Sequence, residues 1–355
     1  MEGTPHEANY EEQVNINANA AGHHPPLTIS EISSLWQEQM YYSMLRCFSR
    51  HFVNHVDDPD TRLQLDHLLG LADARLTVAT DIFQREGQSL PQGFTDEDVD
   101  VNAPRLFSDQ FYLYYIRNLI PIGLSINSLA IARAARADVR EFYQQSINST
   151  LLLWKNTANL LLEKGLFIRS PYITTINQKD FVKKQNFLGG FLVERRPLLA
   201  VEIDQLFFCI LANTIGKALS IGYRQGARSE QVRKYIDRGK EIAEKVIKSC
   251  ESILRKEDIP IPMHWDVMVT DSTVPTFSDK IMMYHLSILN GIGISSYAIA
   301  MASSLRHDLS ANYARIIAEV SNYAEDGINI MIENEWYEEP PRAVDRRELV
   351  SEPQH

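Results

Sequence analysis

The chain repeats itself, and a protein made of two homologous halves has to fold as two copies of one unit. Phe107-Ser108-Asp109 recurs as Phe277-Ser278-Asp279. At the same offset of 170, Tyr114, Leu119, Ile122, Gly123, Ser125, Ala130, Ala132, Arg136, Asp138 and Tyr143 recur as Tyr284, Leu289, Ile292, Gly293, Ser295, Ala300, Ala302, Arg306, Asp308 and Tyr313. That makes 13 identities over 37 gap-free positions. Upstream the offset is 171, pairing Glu31, Ile32, Leu35, Glu86 and Pro91 with Glu202, Ile203, Leu206, Glu257 and Pro262. Each repeat must bury an apolar face within itself or against its neighbour. The halves are expected at 28–169 and 198–339, joined by a linker over 170–197 and flanked by flexible tails over 1–27 and 340–355.

Each half reads as four long helices. The first pair is broken at Asp57-Asp58-Pro59-Asp60 in one copy and at Gln225 to Ser229 in the other, both short helix-to-helix turns. Ser108 and Ser278 are placed to cap the third helices, and Asp138 and Asp308 the fourth, with Glu141 in the capping-box position after Asp138. The fourth helices carry apolar stripes at helical spacing, from Tyr143 to Leu161 and from Tyr313 to Met331. Between helices two and three lie the 19 residues Gly87 to Arg105. Fully extended they span about 60 Å, against ~40 Å for each helix. A connection this long can run the length of the bundle and leave helices two and three parallel. Pro91, Phe94, Val99, Val101 and Leu106, with Pro262, Trp265, Val267, Val269 and Val274 in the second copy, supply the apolar anchors of such a strap. The expected fold is all-α: two tandem ferritin-like four-helix bundles, each with a long crossover between helices 2 and 3.

Lys and Arg total 35 against 46 Asp and Glu, a net charge of -11, which opposes binding to nucleic acid or anionic membrane. Cys47, Cys209 and Cys250 are an odd number at wide spacings in apolar stretches and read as reduced core thiols. The first residues lack the basic start and apolar run of a secretion signal, so a cytoplasmic protein is expected. No glycine-rich phosphate loop, nucleophile elbow or zinc-finger spacing occurs. The Lys- and Arg-rich run from Arg224 to Lys256 is interleaved with acids at helical spacing and reads as a salt-bridged solvent face.

The third helices are the least ordinary segments. Between Lys280 and Arg306 there are 25 residues without Lys, Arg, Asp or Glu, and between Arg117 and Arg133 there are 15. The serines and asparagine within the longer stretch and the charged helices beside it argue against membrane insertion. The third helices are expected instead at the contact between the bundles, where Gly123, Ala130, Ala132, Gly293, Ala298, Ala300 and Ala302 would permit close approach. Pro121 and Asn290-Gly291 fall mid-helix and predict a kink or bulge.

A ferritin-like bundle raises the question of a di-metal centre, which needs Glu-x-x-His motifs on two helices. None occurs in the chain. His285 sits on an apolar stripe and is read first as a core histidine. The metal-site candidates are His285 with Glu202, Glu244 and Glu319 from neighbouring helices. His67 beside Asp66 and Asp73 reads as a wet helix face, and His264-Trp265-Asp266 as a cluster that closes a bundle end or lines a pocket.

Several longer motifs are recognisable: Ser170-Pro171-Tyr172-Ile173, Phe187-Leu188-Gly189-Gly190-Phe191, Arg195-Arg196-Pro197-Leu198, the run Asp271 to Lys280, Tyr323-Ala324-Glu325-Asp326-Gly327 and Ile330 to Asn334. With these the sequence resembles a duplicated family of unknown function from endospore-forming bacteria, provisionally labelled spore coat proteins. The resemblance covers almost everything after Leu27. It implies tandem ferritin-like bundles and a connection to the spore coat, and brings no catalytic residue and no cofactor. Two functions remain. One is a non-enzymatic structural or interaction protein of the sporulating cell, in the cytoplasm or the coat, whose partners are other protein subunits: copies of itself or spore-coat proteins. The other is a metal-dependent oxidoreductase or metal store with a non-standard site in the second bundle.

Overall fold

The computed structural model describes residues 25–172, 174, 181–191 and 195–346. Among them are eight α-helices: α1 (Ile29–His55), α2 (Pro59–Arg85), α3 (Asp109–Arg133), α4 (Ala137–Glu163), α5 (Ala200–Gly226), α6 (Glu230–Arg255), α7 (Asp279–Ser303) and α8 (His307–Glu333). Thr28 and Glu31 form a full capping box on α1. Asp58 caps α2, with Pro59 filling the first-turn position that needs no N–H donor. Ser108 and Ser278 accept from Phe111 N–H and Ile281 N–H, as the sequence predicts.

Contacts at the helix ends fix the topology. Asp109, at the start of α3, accepts from the backbone N–H groups of Asp57 and Asp58 at the start of α2. Asp279 does the same for Arg228 and Ser229 at the start of α6. Helices two and three of each repeat therefore begin at one pole and run parallel, the order that the long crossover predicts. The recurring Phe-Ser-Asp thus carries two jobs, a helix cap and a clasp on the neighbouring turn.

The opposite pole is locked by a second recurring set. Arg136 and Arg306 are buried and donate to Glu86 and Asp138, and to Glu257 and Asp308, respectively. Glu31 and Glu202 each reach from the first helix to two backbone N–H groups before the fourth, at Ala135 and Arg136 and at Leu305 and Arg306. This corrects the expected caps. The fourth helices begin at Ala137 and His307 after Arg136 and Arg306, without a side-chain cap. Asp138 and Asp308 are spent on the arginines, and the distant glutamates receive the free N–H groups instead.

The crossovers join the repeats. Val99 pairs with Phe277 and Phe107 with Val269 as antiparallel bridges. Ser108 N–H donates to Met268 and Ser278 N–H to Asp98, while Asp100 N–H donates to Thr276 and Thr270 N–H to Leu106. Each of these backbone contacts is matched by its counterpart in the other repeat, so the two halves meet across a pseudo-twofold axis. Tyr114 stacks on Trp265 at 4.3 Å, and the equivalent Tyr284 and Phe94 lie 4.9 Å apart.

The third helices accordingly do less at this contact than expected. Their N-terminal halves are buried in it, but Ala132, Ala298 and Ala302 are exposed, and Gly123 and Gly293 face Thr150 and Tyr297 of their own repeats. The pairing of the crossovers has taken the place that small helix residues were expected to fill. Both helices run as unbroken α-helix through Pro121 and Asn290-Gly291, without a bulge. Of the crossover anchors, Phe94, Leu106 and Trp265 are buried while Val267 is exposed. The expected tail over 1–27 lies outside the described residues except at its end, where Leu27 is buried and the Pro25 carbonyl accepts from Arg136. Of 340–355, residues 347–355 lie outside them as well.

Candidate functional site

The structure gives His285, Glu202, Glu244 and Glu319 four separate surroundings. His285 is buried near the pseudo-twofold axis, facing its own repeat counterpart: the Tyr115 hydroxyl lies 3.4 Å from Nε2, and the Tyr223 hydroxyl 2.6 Å from Nδ1. Phe48 packs on the ring at 5.0 Å. Burial pushes the imidazole down to about 3, so it stays neutral at physiological pH. Two residues related by the repeat that touch each other must straddle the axis, and here one is a histidine and the other a tyrosine.

Glu202 is a structural carboxylate. It accepts from Arg196 at 2.8 Å through both oxygens and from three backbone N–H groups. Desolvation raises its pKa, but these donors outweigh it and hold the carboxyl below the usual range. Glu244 pairs with Lys217, and Glu319 with Lys245 and Arg315, all on the outer faces of the second bundle. The structure does not bring the four together. Among the described residues no three His, Cys, Asp or Glu side chains cluster closely enough to share a metal ion.

The other sequence candidates resolve into packing. His264 pairs with Glu251, Asp266 with Lys217, and Trp265 between them seals the joint between the repeats. His67 is half-buried on α2. The three cysteines are free and buried, with Cys209 and Cys250 in contact at 3.5 Å.

The strongest surface feature is α7. α5 and α7 are both long and apolar enough to cross a membrane by length and composition, yet they are placed differently. In α5, 72% of the most apolar stretch is buried within the protein, whereas in α7 only 17% is. From Gly291 onward α7 turns Gly291, Ser295, Ala298, Ile299 and Ala302 to solvent, with no charged side chain among them. The matching face of α3 exposes Ser125, Ser128, Leu129 and Ala132.

Comparison with known proteins gives two matches. The model of a family described as a protein of unknown function, DUF3231, matches residues 16–178 and again 186–349, one copy on each repeat. A crystal structure of a "putative spore coat protein" from Bacillus halodurans C-125 is 22% identical, with a TM-score of 0.38. The match covers 42% of this chain and 98% of that one. No curated protein matches.

Proposed function

The chain belongs to the DUF3231 family of proteins of unknown function, and we propose that it is a non-enzymatic structural or interaction protein of the sporulating cell that self-associates through α7. The exposed, uncharged face of α7 carries this reading. An uncharged helix face of high mean hydropathy left open to solvent on a protein of net charge -11 is unusual without a partner. Gly291, Ser295, Ala298 and Ala302 recur at steps of four and three, so they line one side of the helix. The same helix of a second copy can approach there closely, and no charge on the face opposes it. A face that is its own complement is what a twofold contact between copies requires. The bundles are read as ferritin-like scaffolds whose recurring carboxylates and arginines lock helix ends.

Sedimentation velocity of the full chain tests the association. A dimer or larger species is expected, and Ile299→Lys should return it to monomer without lowering its thermal midpoint. A monomer at high micromolar concentration would overturn it, and flotation with lipid vesicles would assign α7 to a membrane instead. The link to sporulation rests on the sequence motifs; immunoblots of mother-cell and purified-spore fractions test it. Elemental analysis of protein purified without chelator, beside His285→Ala, checks the metal reading. Stoichiometric iron or manganese lost in the variant would favour it over a structural role.

A further inference from the structure

The first bundle holds a buried polar cluster that the second lacks. Glu38 of α1, Arg75 of α2, Asn127 of α3 and Tyr143 and Ser146 of α4 are each 5% exposed or less, so all four helices contribute. The Arg75 guanidinium lies 5.3 Å from the Tyr42 ring centroid and donates through Nη2 to the Ser146 carbonyl at 2.5 Å. Arg75 Nη1, Glu38 Oε2 and Ser146 Oγ have no protein partner, while the Asn127 amide has the Tyr42 hydroxyl beside it and the Tyr143 hydroxyl has Ser34. The carboxylate and the guanidinium thus share one interior without pairing directly.

The second repeat serves as a control built into the chain. At the matching positions it has Cys209, Val246, Tyr297, Tyr313 and Ile316. The Tyr297 hydroxyl and the Asn213 amide satisfy each other at 2.9 and 3.1 Å. At this level the same bundle therefore closes without a buried charge. A buried polar group left unpaired costs about 1–3 kcal/mol, and a charged one more. An unpaired hydroxyl recurs at Tyr313, but the buried charges at this level belong to the first copy only, so the fold itself does not demand them.

We propose that the centre of the first bundle binds a small monovalent anion, held by Arg75 Nη1, the Asn127 amide and the hydroxyls of Tyr143 and Ser146, with uptake of a proton on Glu38. The guanidinium repels cations, and a single carboxylate is too few ligands to overcome that. What remains is mostly donors. Facing Glu38 are Arg75 from α2, Tyr41 and Tyr42 from its own helix and Tyr143 from α4, while α3 offers the uncharged Asn127. Burial raises the three tyrosines, which stay neutral. Burial also pushes Glu38 up to about 7, an effect Arg75 only tempers. Protonation of Glu38 leaves Arg75 as an uncompensated buried charge, and an anion restores neutrality.

Bromide is the probe, on the full chain at pH 6 and pH 8.5, with gluconate, too bulky for a buried site, as the reference at equal ionic strength. At pH 6 the thermal midpoint should rise with bromide relative to gluconate. The rise should shrink at pH 8.5, because affinity falls about tenfold per pH unit once Glu38 must be protonated to bind. Arg75→Met should lose the bromide-specific shift, and Glu38→Gln should keep it at both pH values. Anomalous diffraction should place bromide within the cluster, a result that stands even if Arg75→Met does not fold. Equal midpoints in bromide and gluconate, a shift that survives in Arg75→Met, or the same shift at both pH values would each overturn the proposal. So would bromide density without any shift, which would mean an adventitious ion only.

Discussion

Arg136 and Arg306 show what a recurring residue is for. Each buried guanidinium ties the end of the second helix to the start of the fourth, and Arg136 also holds the Pro25 carbonyl. Truncating one partner of a buried ion network leaves the others desolvated and unpaired, so Arg136→Ala should cost about 3 kcal/mol or more in urea unfolding. Arg136→Lys should recover little of it, since a single ammonium cannot fork between Glu86 and Asp138. The buried titratable groups predict a pH dependence as well. Burial lowers His285 to about 3 and His51 to about 4, so on acidification below about 6.5 the unfolded chain takes up two protons that the native state refuses. Glu38, raised to about 7, works in the other direction between about 4.5 and 7, because there the native state holds the extra proton. From pH 6.5 down to 4.5 these three groups together leave one proton against folding, a loss of about 1.4 kcal/mol per pH unit. His285→Phe should flatten that slope, and a slope that is unchanged would mean the imidazole titrates in the folded protein.

At the scale of helices, the second bundle is closed by a reciprocal fit. Tyr235 of α6 and Tyr323 of α8 stack at 4.2 Å, each over the glycine of the facing helix. A Cβ at Gly239 would lie 2.7 Å from Cζ of Tyr323, and one at Gly327 would lie 2.6 Å from Cζ of Tyr235. Alanine gains up to about 1 kcal/mol of helix propensity over glycine, but two buried, stacked rings have no room to retreat. Gly239→Ala and Gly327→Ala should each therefore destabilise by about 1–3 kcal/mol in chemical denaturation. A neutral or stabilising result would show that the stack can slide. Helix number, the turns at Asp57 to Asp60 and Gln225 to Ser229, and the parallel run of helices two and three were legible from spacing and loop length. The glutamate clasps were not, because Glu31 meets Arg136 across more than a hundred residues and no local pattern records that contact. The cluster around Glu38 and Arg75 escaped for the opposite reason: a search for what both halves share passes over what only one half has. His285 lies on an apolar stripe as read, but two of its neighbours, Tyr115 and Phe48, come from the other repeat, where helical periodicity cannot reach.

For the molecule as a whole, the decisive fact is that the repeats meet through their crossovers and not through helix faces alone. Phe277 of the second repeat lies among Phe48, His51 and Phe52 of the first, 4.4 Å from the Phe48 ring and 5.5 Å from the His51 ring. Phe107 of the first packs on the second closely enough that a Cβ at Gly222 would fall 2.7 Å from its ring. The buried apolar core runs without a break from one bundle into the other. Two units that share a core and exchange matched backbone hydrogen bonds lose those contacts together, so the chain should unfold in one step in spite of its two copies. Trp265, wholly buried against Tyr114, reports on the joint, while far-UV circular dichroism reports on all the helices. Their urea curves are expected to coincide, with Trp265→Phe identifying the fluorescence that belongs to the joint. Phe277→Ala removes a buried ring at the joint and should cost about 3–5 kcal/mol. If the repeats are one cooperative unit, that loss moves the entire transition to lower urea. Should the curve instead split, with Trp265 melting before half of the helical signal, each bundle would be stable by itself and the joint would be a docking contact between them.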